Sequence, residues 1–271
     1  MKFSVTRSGF LTTVQDLGRK GFRRFGVSVG GALDTHALRV ANLLVQNDEE
    51  AAGLEITFGG LRLRFEDQRL ISWCGGEFDV RIGANLVPPG RAVLIHPGEE
   101  FWVNQPTRGC RAWLAISGGI DLPLILESRS TDLRAEFGGI EGRGLRAGDV
   151  VPLAHESTST QSIANLLRDE RVSTWTPPTS WSSTAASEPV LRFVRGRDWN
   201  LFTEFAQEVF LTRPFTVSND SNRMGARIET PELWRTEYSD LISEAVALGM
   251  VQVLPRGKPM ILLDDCQTIG G

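Results

Sequence analysis

Short apolar runs, separated by glycine and proline, dominate the first half of the chain. The runs are Leu54–Phe58, Leu61–Phe65, Leu70–Cys74, Phe78–Ile82, Val93–Ile95, Phe101–Val103 and Ala112–Ile116. Apolar and polar residues alternate in Leu61–Phe65 and Phe78–Ile82, which is the pattern of a strand with one buried face. Gly59-Gly60 lies between two runs and predicts a hairpin turn. Many short strands at this spacing are typical of a sandwich or barrel, so the sequence predicts a mainly β fold.

Two segments have helical spacing instead. From Thr35 to Gln46 the apolar residues recur every three or four positions, and Asp34 precedes them as a candidate N-cap. From Trp199 to Leu211 the same spacing follows Asp198, a second candidate cap. The sequence therefore predicts a few packed helices beside the strands.

A shift in composition divides the chain into three parts. Residues 156–187 are rich in Ser, Thr and Pro, and such a segment is expected to bury little and to form a linker or a surface excursion. Residues 1–155 form the β-rich N-terminal part. Residues 188–271 are few for an independent fold, so we expect them to pack onto the first part as one two-lobed unit.

Charge and hydropathy argue against several classes of protein. The net charge is −4 and the isoelectric point is about 5.5, whereas nucleic-acid-binding domains are usually basic. No stretch approaches the roughly 18 consecutive apolar residues that cross a bilayer. The N-terminal residues lack the apolar run of a secretory signal.

The cysteines and the missing motifs narrow the chemistry. Cys74, Cys110 and Cys266 are an odd number without CxxC spacing, which predicts free thiols in a reducing, cytoplasmic setting. The sequence contains neither a P-loop nor a GxSxG nucleophile elbow. The histidines are isolated from one another, so the sequence predicts no metal site.

Four polar clusters adjoin glycines or apolar runs. They are Thr12–Arg19, Arg129–Arg134, Asn219–Gly225 and Asp264–Gly271. Asn, Asp, Ser and Gly are also the usual residues of turns, so any single cluster could be only a solvated loop. Because charged and amide side chains recur in them, we expect the clusters to share a polar pocket that holds a small polar or anionic molecule.

Candidate site residues come from these clusters and one further carboxylate. The candidates for proton transfer are Asp16, Asp132 and Glu244, since a buried carboxylate can act as a general acid or base. The candidates for substrate binding are Gln15, Arg19, Arg129, Thr131, Asn222, Arg223 and Gln267. An arginine can hold a carboxylate or phosphate through two parallel hydrogen bonds. Alternatively, the Arg and Asp of Arg129–Arg134 pair with each other to shape a barrel rim.

Several motifs, taken in order, carry a resemblance to a known family. They are Leu11–Arg19, Gly30–Asp34, Leu54–Gly60, Ser128–Arg134, Asn222–Gly225, Ile242–Glu244, Gln252–Val253 and Gln267–Gly271. Together they resemble the allophanate hydrolase subunit 2 family, also called KipA-like or biotin-dependent carboxyltransferase-like proteins. The resemblance runs nearly end to end and skips the Ser/Thr-rich segment.

The resemblance implies a fold and a partner. The fold is a β-barrel of the cyclophilin-like kind, and the partner is a KipI-like protein, allophanate hydrolase subunit 1, with the active site at or near their junction. Relatives serve as one subunit of ATP-dependent 5-oxoprolinase, which opens 5-oxoproline to glutamate and also needs a LamB/YcsF-type subunit. This reading predicts a chain that is inactive alone and binds no cofactor itself, with ATP used by the complex.

Two other functions remain open under the resemblance. One is a component of a biotin-dependent carboxyltransferase of the urea carboxylase type, which needs a biotin-carrying partner because no lysine except Lys2 follows a methionine. The other is a non-catalytic regulator that binds a kinase inhibitor. Under either enzyme hypothesis, a planar amide of the substrate could pair with Gln15, Asn222 and Gln267. A carboxylate of the substrate could be held by Arg129 or Arg223.

The chain departs from the family pattern at two places. Family members usually continue beyond the position of Gly271 with a Tyr-Pro segment and further strands, so a C-terminal segment and any pocket wall that it forms could be missing. The usual Met before the aspartate of the Gly-Gly-Ala motif is Leu33 here, a swap of similar volume that we expect to cost little.

Overall fold

The computed structural model describes residues 1–182, 191–237 and 242–270, and the chain divides into two compact units. The first unit is formed by Met1–Arg19 and Gly30–Ser187, and the second by Lys20–Val29 and Glu188–Gly271. The composition pattern assigned all of 1–155 to one part and did not anticipate that Lys20–Val29 belongs with the second unit.

One antiparallel sheet forms the body of the first unit. Its strands in the described residues are β1 (Lys2–Ser8), β2 (Leu11–Gln15), β3 (Gly53–Thr57), β4 (Leu61–Phe65), β5 (Arg69–Ile82), β6 (Asn85–Leu86), β7 (Val93–Ile95), β8 (Glu100–Ile116) and β9 (Val150–Pro152). The order is β2-β3-β8-β4-β1-β9, and β5 pairs with β6, β7 and β8. The sheet curls into a half-barrel, which confirms the predicted mainly β fold with a few helices.

Two long strands replace four of the predicted short ones. β5 contains both Leu70–Cys74 and Phe78–Ile82, and β8 contains both Phe101–Val103 and Ala112–Ile116. The register between β5 and β8 shifts near Gly75, where φ is 131° and a Cβ would lie 2.6 Å from the Arg111 carbonyl oxygen. Such bulges bend a strand without ending it, so the sequence pattern breaks where the strand continues.

The prediction of a hairpin turn at Gly59-Gly60 is wrong. β3 and β4 both pair with β8, with Leu54 opposite Leu114 and Leu61 opposite Val103, so they follow one another along β8. A Cβ on Gly59 would lie 1.9 Å from the Asn104 carbonyl oxygen. The glycines therefore allow close backbone approach to β8 and do not form a two-residue turn.

The first predicted helix is confirmed as α1 (Thr35–Leu44). The Asp34 carboxylate caps it by accepting a hydrogen bond from the Ala37 amide at 2.9 Å. Leu38 and Ala41 are fully buried where α1 packs against β5 and β8.

The start of the Ser/Thr/Pro-rich segment folds, contrary to the expectation that it buries little. It forms α2 (Thr158–Leu166) and a short α3 (Thr179–Ser182), while positions 183–187 lie outside the described residues. Ala164 and Leu167 are buried in the same apolar cluster as α1. Three apolar side chains at helical spacing, Ile163, Ala164 and Leu167, are enough to dock this polar segment.

The second predicted helix needs correction. Trp199–Leu201 form a short 3-10 turn, Phe202 is extended, and α4 begins only at Glu204 and ends at Thr212. Thr203 caps α4, and its hydroxyl accepts a hydrogen bond from the Ala206 amide at 3.2 Å. The Asp198 side chain makes no capping hydrogen bond, because the helix starts one turn later than the apolar spacing suggests.

The described part of the second unit adds short strands to α4. They are β10 (Thr216–Val217), β11 (Gly225–Glu229), β12 (Glu244–Ala245), β13 (Val251–Val253), β14 (Pro259–Leu262) and β15 (Ile269–Gly270). The strand order is β10-β11-β14-β13, and β12 pairs with β15.

The two units differ in how much apolar surface they bury. The first has a large cluster inside the curled sheet and another between α1, α2 and the outer side of β5 and β8. Within the described residues of the second unit the clusters are small, and each has three buried members, Ala206, Val209 and Leu233 in one and Met260, Leu262 and Cys266 in the other. In the described ranges we find no helix with the length and hydropathy of a membrane span.

Candidate functional site

Two of the predicted polar clusters meet in the first unit. Thr12–Gln15, expected in a loop, instead belongs to the buried strand β2. The loop after Ser128 runs along this strand, and both the amide and the hydroxyl of Thr131 donate to the Val14 carbonyl oxygen, at 2.9 and 3.1 Å. Gln15 Nε2 donates to the Thr131 carbonyl oxygen at 3.2 Å. The juxtaposition of Gln15, Asp16, Arg19, Arg129 and Thr131 is therefore a property of the fold.

Asp16 organises this junction. Its Oδ1 accepts hydrogen bonds from the hydroxyls of Ser128 and Ser130, both at 2.6 Å, and from the Gly18 amide at 2.8 Å. Its Oδ2 accepts from the Arg129 amide at 2.6 Å. Because donors already surround the buried carboxylate, its geometry suits fixing two loops together. Its predicted part in proton transfer stays a prediction.

Arg19 lies beneath the same loops and is fully buried. Its guanidinium donates to the carbonyl oxygens of Ile125 and Ser130, and it stacks on Phe137 with Cζ 4.5 Å from the ring centroid. A cation held in this way stiffens the loop from Ile125 to Phe137. Direct substrate binding by Arg19 remains a prediction. Since Arg19 is fully buried, a substrate would have to enter the interior to contact it.

Arg129 is the predicted anion-binding residue of this junction that keeps part of its side chain in solvent, with 31% of the side chain exposed. Its Nε donates to the Leu122 carbonyl oxygen at 2.8 Å, and Nη2 lies 3.6 Å from Asp121 Oδ1. The guanidinium is thus oriented by its neighbours and still accessible to a carboxylate or phosphate.

Asp132 closes the following turn. Its Oδ1 accepts hydrogen bonds from the amides of Arg134 and Ala135, at 3.0 and 2.9 Å. Its backbone pairs with that of Phe137 in both directions. This is the usual behaviour of an aspartate in a turn. A role for Asp132 in proton transfer stays a prediction.

The side chain of Gln15 is buried with its carbonyl oxygen unsatisfied within the described ranges. The residue is fully buried, and its Oε1 has no hydrogen-bond partner among the residues that the structure describes. Its Nε2 is engaged by Thr13 and by the Thr131 carbonyl oxygen. An unsatisfied buried carbonyl is costly, so it is a candidate acceptor for an N–H or O–H group of a ligand.

The other predicted residues belong to the second unit. Arg223 makes a buried two-point ion pair with Asp265, with Nε–Oδ2 at 2.8 Å and Nη2–Oδ1 at 3.0 Å. Asn222 is exposed and its Oδ1 accepts from the Met224 amide at 2.8 Å. Arg223 and Asn222 therefore shape the turn before β11, and their predicted contacts with substrate are untested.

Gln267 and Glu244 are more accessible than Arg223. Gln267 is half-buried, and its Nε2 donates to Gln252 Oε1 at 3.0 Å. Glu244 lies at the start of β12 with about half of its side chain exposed, and it pairs with Arg197. Their functional roles also stay predictions, as does the expectation that all four clusters share one pocket.

Three buried polar residues with structural contacts were not predicted from the sequence. Ser128 and Ser130 bind the Asp16 carboxylate, and serines in a turn give no distinguishing signal. Glu55 is 1% exposed and accepts hydrogen bonds from the Leu33 amide at 2.9 Å and from Trp113 Nε1 at 3.1 Å. A carboxylate inside the apolar run Leu54–Phe58 was the available signal for Glu55.

The cysteines and the possible metal ligands were also located. The three cysteines are free thiols, as predicted, and burial raises the pKa of Cys74 to about 12, so this thiol stays protonated. No group of three or more His, Cys, Asp or Glu side chains suited to a metal ion occurs within residues 1–182, 191–237 and 242–270.

Comparison with known proteins gives a consistent set of relatives. Residues 25–271 match the family model described as carboxyltransferase domain, subdomain A and B. The chain is 38% identical over 270 residues to a 5-oxoprolinase subunit of Escherichia coli, covering 98% of this chain and 81% of that protein. It is 34% identical to the protein of the same name from Haemophilus influenzae, covering 96% and 78%. Among solved structures, the Kluyveromyces lactis urea amidolyase superposes with a TM-score of 0.81 at 29% identity, covering all of this chain and 17% of that one.

Proposed function

We propose that this chain, which belongs to the carboxyltransferase-domain family, is a subunit of an ATP-dependent 5-oxoprolinase that opens 5-oxoproline to glutamate. The observation that carries the proposal is the 38% identity to the Escherichia coli 5-oxoprolinase subunit along 98% of this chain and 81% of that protein. The similarity therefore includes nearly every residue of this chain.

The junction around Asp16 supports the binding of such a substrate. 5-Oxoproline has one carboxylate and one planar ring amide. Arg129 is oriented by Leu122 and Asp121 and remains partly exposed, so it can hold the carboxylate. Gln15 Oε1, which has no hydrogen-bond partner among the described residues, is a candidate acceptor for the amide N–H.

Partner subunits complete the proposed enzyme. The sequence has no P-loop, so we assign ATP binding to the partners, a KipI-like subunit and a LamB/YcsF-type subunit. A candidate contact is the loop Leu124–Leu126, in which all three apolar side chains are at least 39% exposed. Leu126 and Glu127 have φ of 52° and 62°, so the surrounding structure keeps the backbone of this apolar tip in a strained conformation close to Arg129 in the chain. We place the complex in the cytoplasm and expect the isolated chain to be inactive.

The test is to co-express the chain with both partner subunits and measure ATP hydrolysis that depends on 5-oxoproline. Arg129→Ala should lower kcat/KM by about tenfold or more, because it removes a charged substrate contact. Arg134→Ala is the matched control, since Arg134 is an exposed arginine of the same loop, and it should stay within about twofold. A complete complex without oxoproline-dependent turnover would reject the proposal.

A second candidate is a carboxyltransferase component of the urea carboxylase type. It is favoured by the superposition on the Kluyveromyces lactis urea amidolyase, with a TM-score of 0.81. Biotin would then be carried by a partner. Urea-dependent loss of the carboxyl group from a carboxylated biotin carrier, with no response to 5-oxoproline, would favour this candidate. Association with the KipI-like protein that brings neither activity would favour a regulator.

A further inference from the structure

Four side chains form one row across the outer face of the first unit's sheet. Arg7 of β1 lies opposite Arg62 of β4, Arg62 lies opposite Trp102 of β8, and Trp102 lies opposite Arg81 of β5. The residues that flank Arg62, Trp102 and Arg81 in their strands are buried, so these three point away from the core. The row thus places three arginines and a tryptophan on one surface.

Two of these arginines have no counter-ion in the described part of the chain. Arg81 Nε is paired with Asp79 at 2.8 Å, and in the neighbouring row Arg64 is paired with Glu100 at 2.9 Å. No carboxylate of residues 1–182, 191–237 or 242–270 forms an ion pair with Arg7 or Arg62. Arg62 instead stacks on Trp102, with Cζ 4.4 Å from the ring centroid.

The register places two arginines with the same charge opposite each other on neighbouring strands. Like charges directly opposite each other on neighbouring strands destabilise a sheet. A bound anion between Arg7 and Arg62 would remove the repulsion, because each guanidinium can donate two parallel hydrogen bonds to an oxyanion.

An open cleft of about 700 Å³ adjoins the row, with Arg7 in its wall. Phe10 and Phe58 form one lip as an edge-to-face pair, with centroids 5.4 Å apart and exposures of 74% and 49%. Asn104 and Gln105 add amide groups to the wall. The one carboxylate of the wall, Asp79, is already bonded to Arg81 and to Asn104 Nδ2.

The backbone holds the aromatic lip in a strained position. Phe58 has φ of 55°, which is uncommon for a bulky residue, and Gly59 and Gly60 follow in the same left-handed region. Hydrogen bonds from the Phe58 amide to the Cys110 carbonyl oxygen at 2.9 Å, and from the Gly60 amide to that of Val103 at 2.7 Å, fix the segment to β8. Backbone strain such as that at Phe58 occurs often at binding sites.

We propose that Arg7, Arg62 and this cleft bind a small molecule that joins a phosphate or carboxylate to a flat apolar group. The arginines hold the anion, the flat group packs against Phe10 and Phe58, and the amides of Asn104 and Gln105 bind its polar edge. This site uses none of the residues around Asp16 and Arg129, so it does not depend on the proposed 5-oxoprolinase activity.

The test is calorimetric titration of the purified chain with phenyl phosphate and, separately, with inorganic phosphate. Arg7→Gln and Arg62→Gln should each weaken phenyl phosphate binding by about tenfold, because each removes one guanidinium from the anion. Arg64→Gln, in the adjacent row and already paired with Glu100, should change it by less than about twofold. Phe10→Ala should weaken phenyl phosphate and leave inorganic phosphate unchanged.

The same titrations can overturn the proposal. It fails if phenyl phosphate shows no saturable binding to the unaltered chain at about 10 mM, since a two-arginine site should exceed that affinity. It also fails if Arg64→Gln weakens binding as much as Arg7→Gln, because the attraction would then be the general field of the surface. Arg7 is exposed and makes no ion pair among the described residues, so Arg7→Gln should fold normally, and thermal unfolding checks this.

Discussion

At the scale of single residues, Asp16 is a predicted site residue whose contacts in the structure are those of a structural group. Its carboxylate accepts four hydrogen bonds, from the amides of Gly18 and Arg129 and from the hydroxyls of Ser128 and Ser130. These bonds position Arg129, whose guanidinium reaches the surface beside them. We therefore expect Asp16 to act through the loop that it holds.

Asp16→Asn should lower the free energy of unfolding by about 2–4 kcal/mol, because hydrogen bonds to a charged group are lost and the new NH₂ faces donors. Urea denaturation measures the change. Asp132→Asn is the control, since an Asn Oδ1 can still accept from the amides of Arg134 and Ala135, and it should cost about 1 kcal/mol or less. Unchanged stability in Asp16→Asn, with turnover of the assembled complex abolished, would instead show that Asp16 takes part in the chemistry.

The residue types of this junction were readable from the sequence, and their partners were not. Asp16, Arg19 and Arg129 stood out as charged residues in polar segments. The hydroxyls that bind Asp16 are 112 and 114 positions away in the chain, and only the folded sheet brings them together. In the sequence, a serine that binds a buried carboxylate cannot be distinguished from a serine in a solvated turn.

At the scale of secondary-structure elements, the short apolar runs located some strands, missed β1, β2 and β9, and described the connections poorly. β3, β4, β7 and α1 lie where the pattern put them. The long strands β5 and β8 were divided, because bulges interrupt the alternation without ending the strand. The hairpin predicted at Gly59-Gly60 does not form, because two adjacent glycines can allow either a tight turn or the close approach of a third strand.

Gly59→Ala tests this second use of glycine. Gly59 has φ of 67°, and its Cβ would lie 1.9 Å from the Asn104 carbonyl oxygen, a backbone atom that cannot move aside easily. We expect a loss of about 2–4 kcal/mol in the free energy of unfolding. Gly83→Ala is matched in backbone angle, with φ of 57° and open space around the Cβ, so it should cost only the conformational strain of about 1–2 kcal/mol. Equal losses in urea denaturation would show that the close approach to β8 is unimportant.

At the scale of the whole molecule, the first unit combines a large buried apolar core with an exposed apolar tip at Leu124–Leu126. The first unit has a large core, so it does not need its exposed Leu124–Leu126 tip for stability. An exposed apolar segment held by strained backbone is more consistent with a contact to another chain. The composition of the chain could not reveal this tip, because exposure depends on the fold.

If Leu124–Leu126 contacts the proposed KipI-like subunit, Leu124→Glu should prevent their association without unfolding the chain, because it places a charge in an apolar contact. Leu124 is 58% exposed, so the free energy of unfolding should change by less than about 0.5 kcal/mol. Leu86→Glu is the matched control, since Leu86 is an apolar residue of the same unit with 63% exposure, in the short strand β6. Size-exclusion chromatography of the co-expressed subunits should show a complex for the unaltered chain and for Leu86→Glu, and separate subunits for Leu124→Glu. A complex that survives Leu124→Glu would place the partner on another surface of the chain, and the strained loop would then need a different explanation.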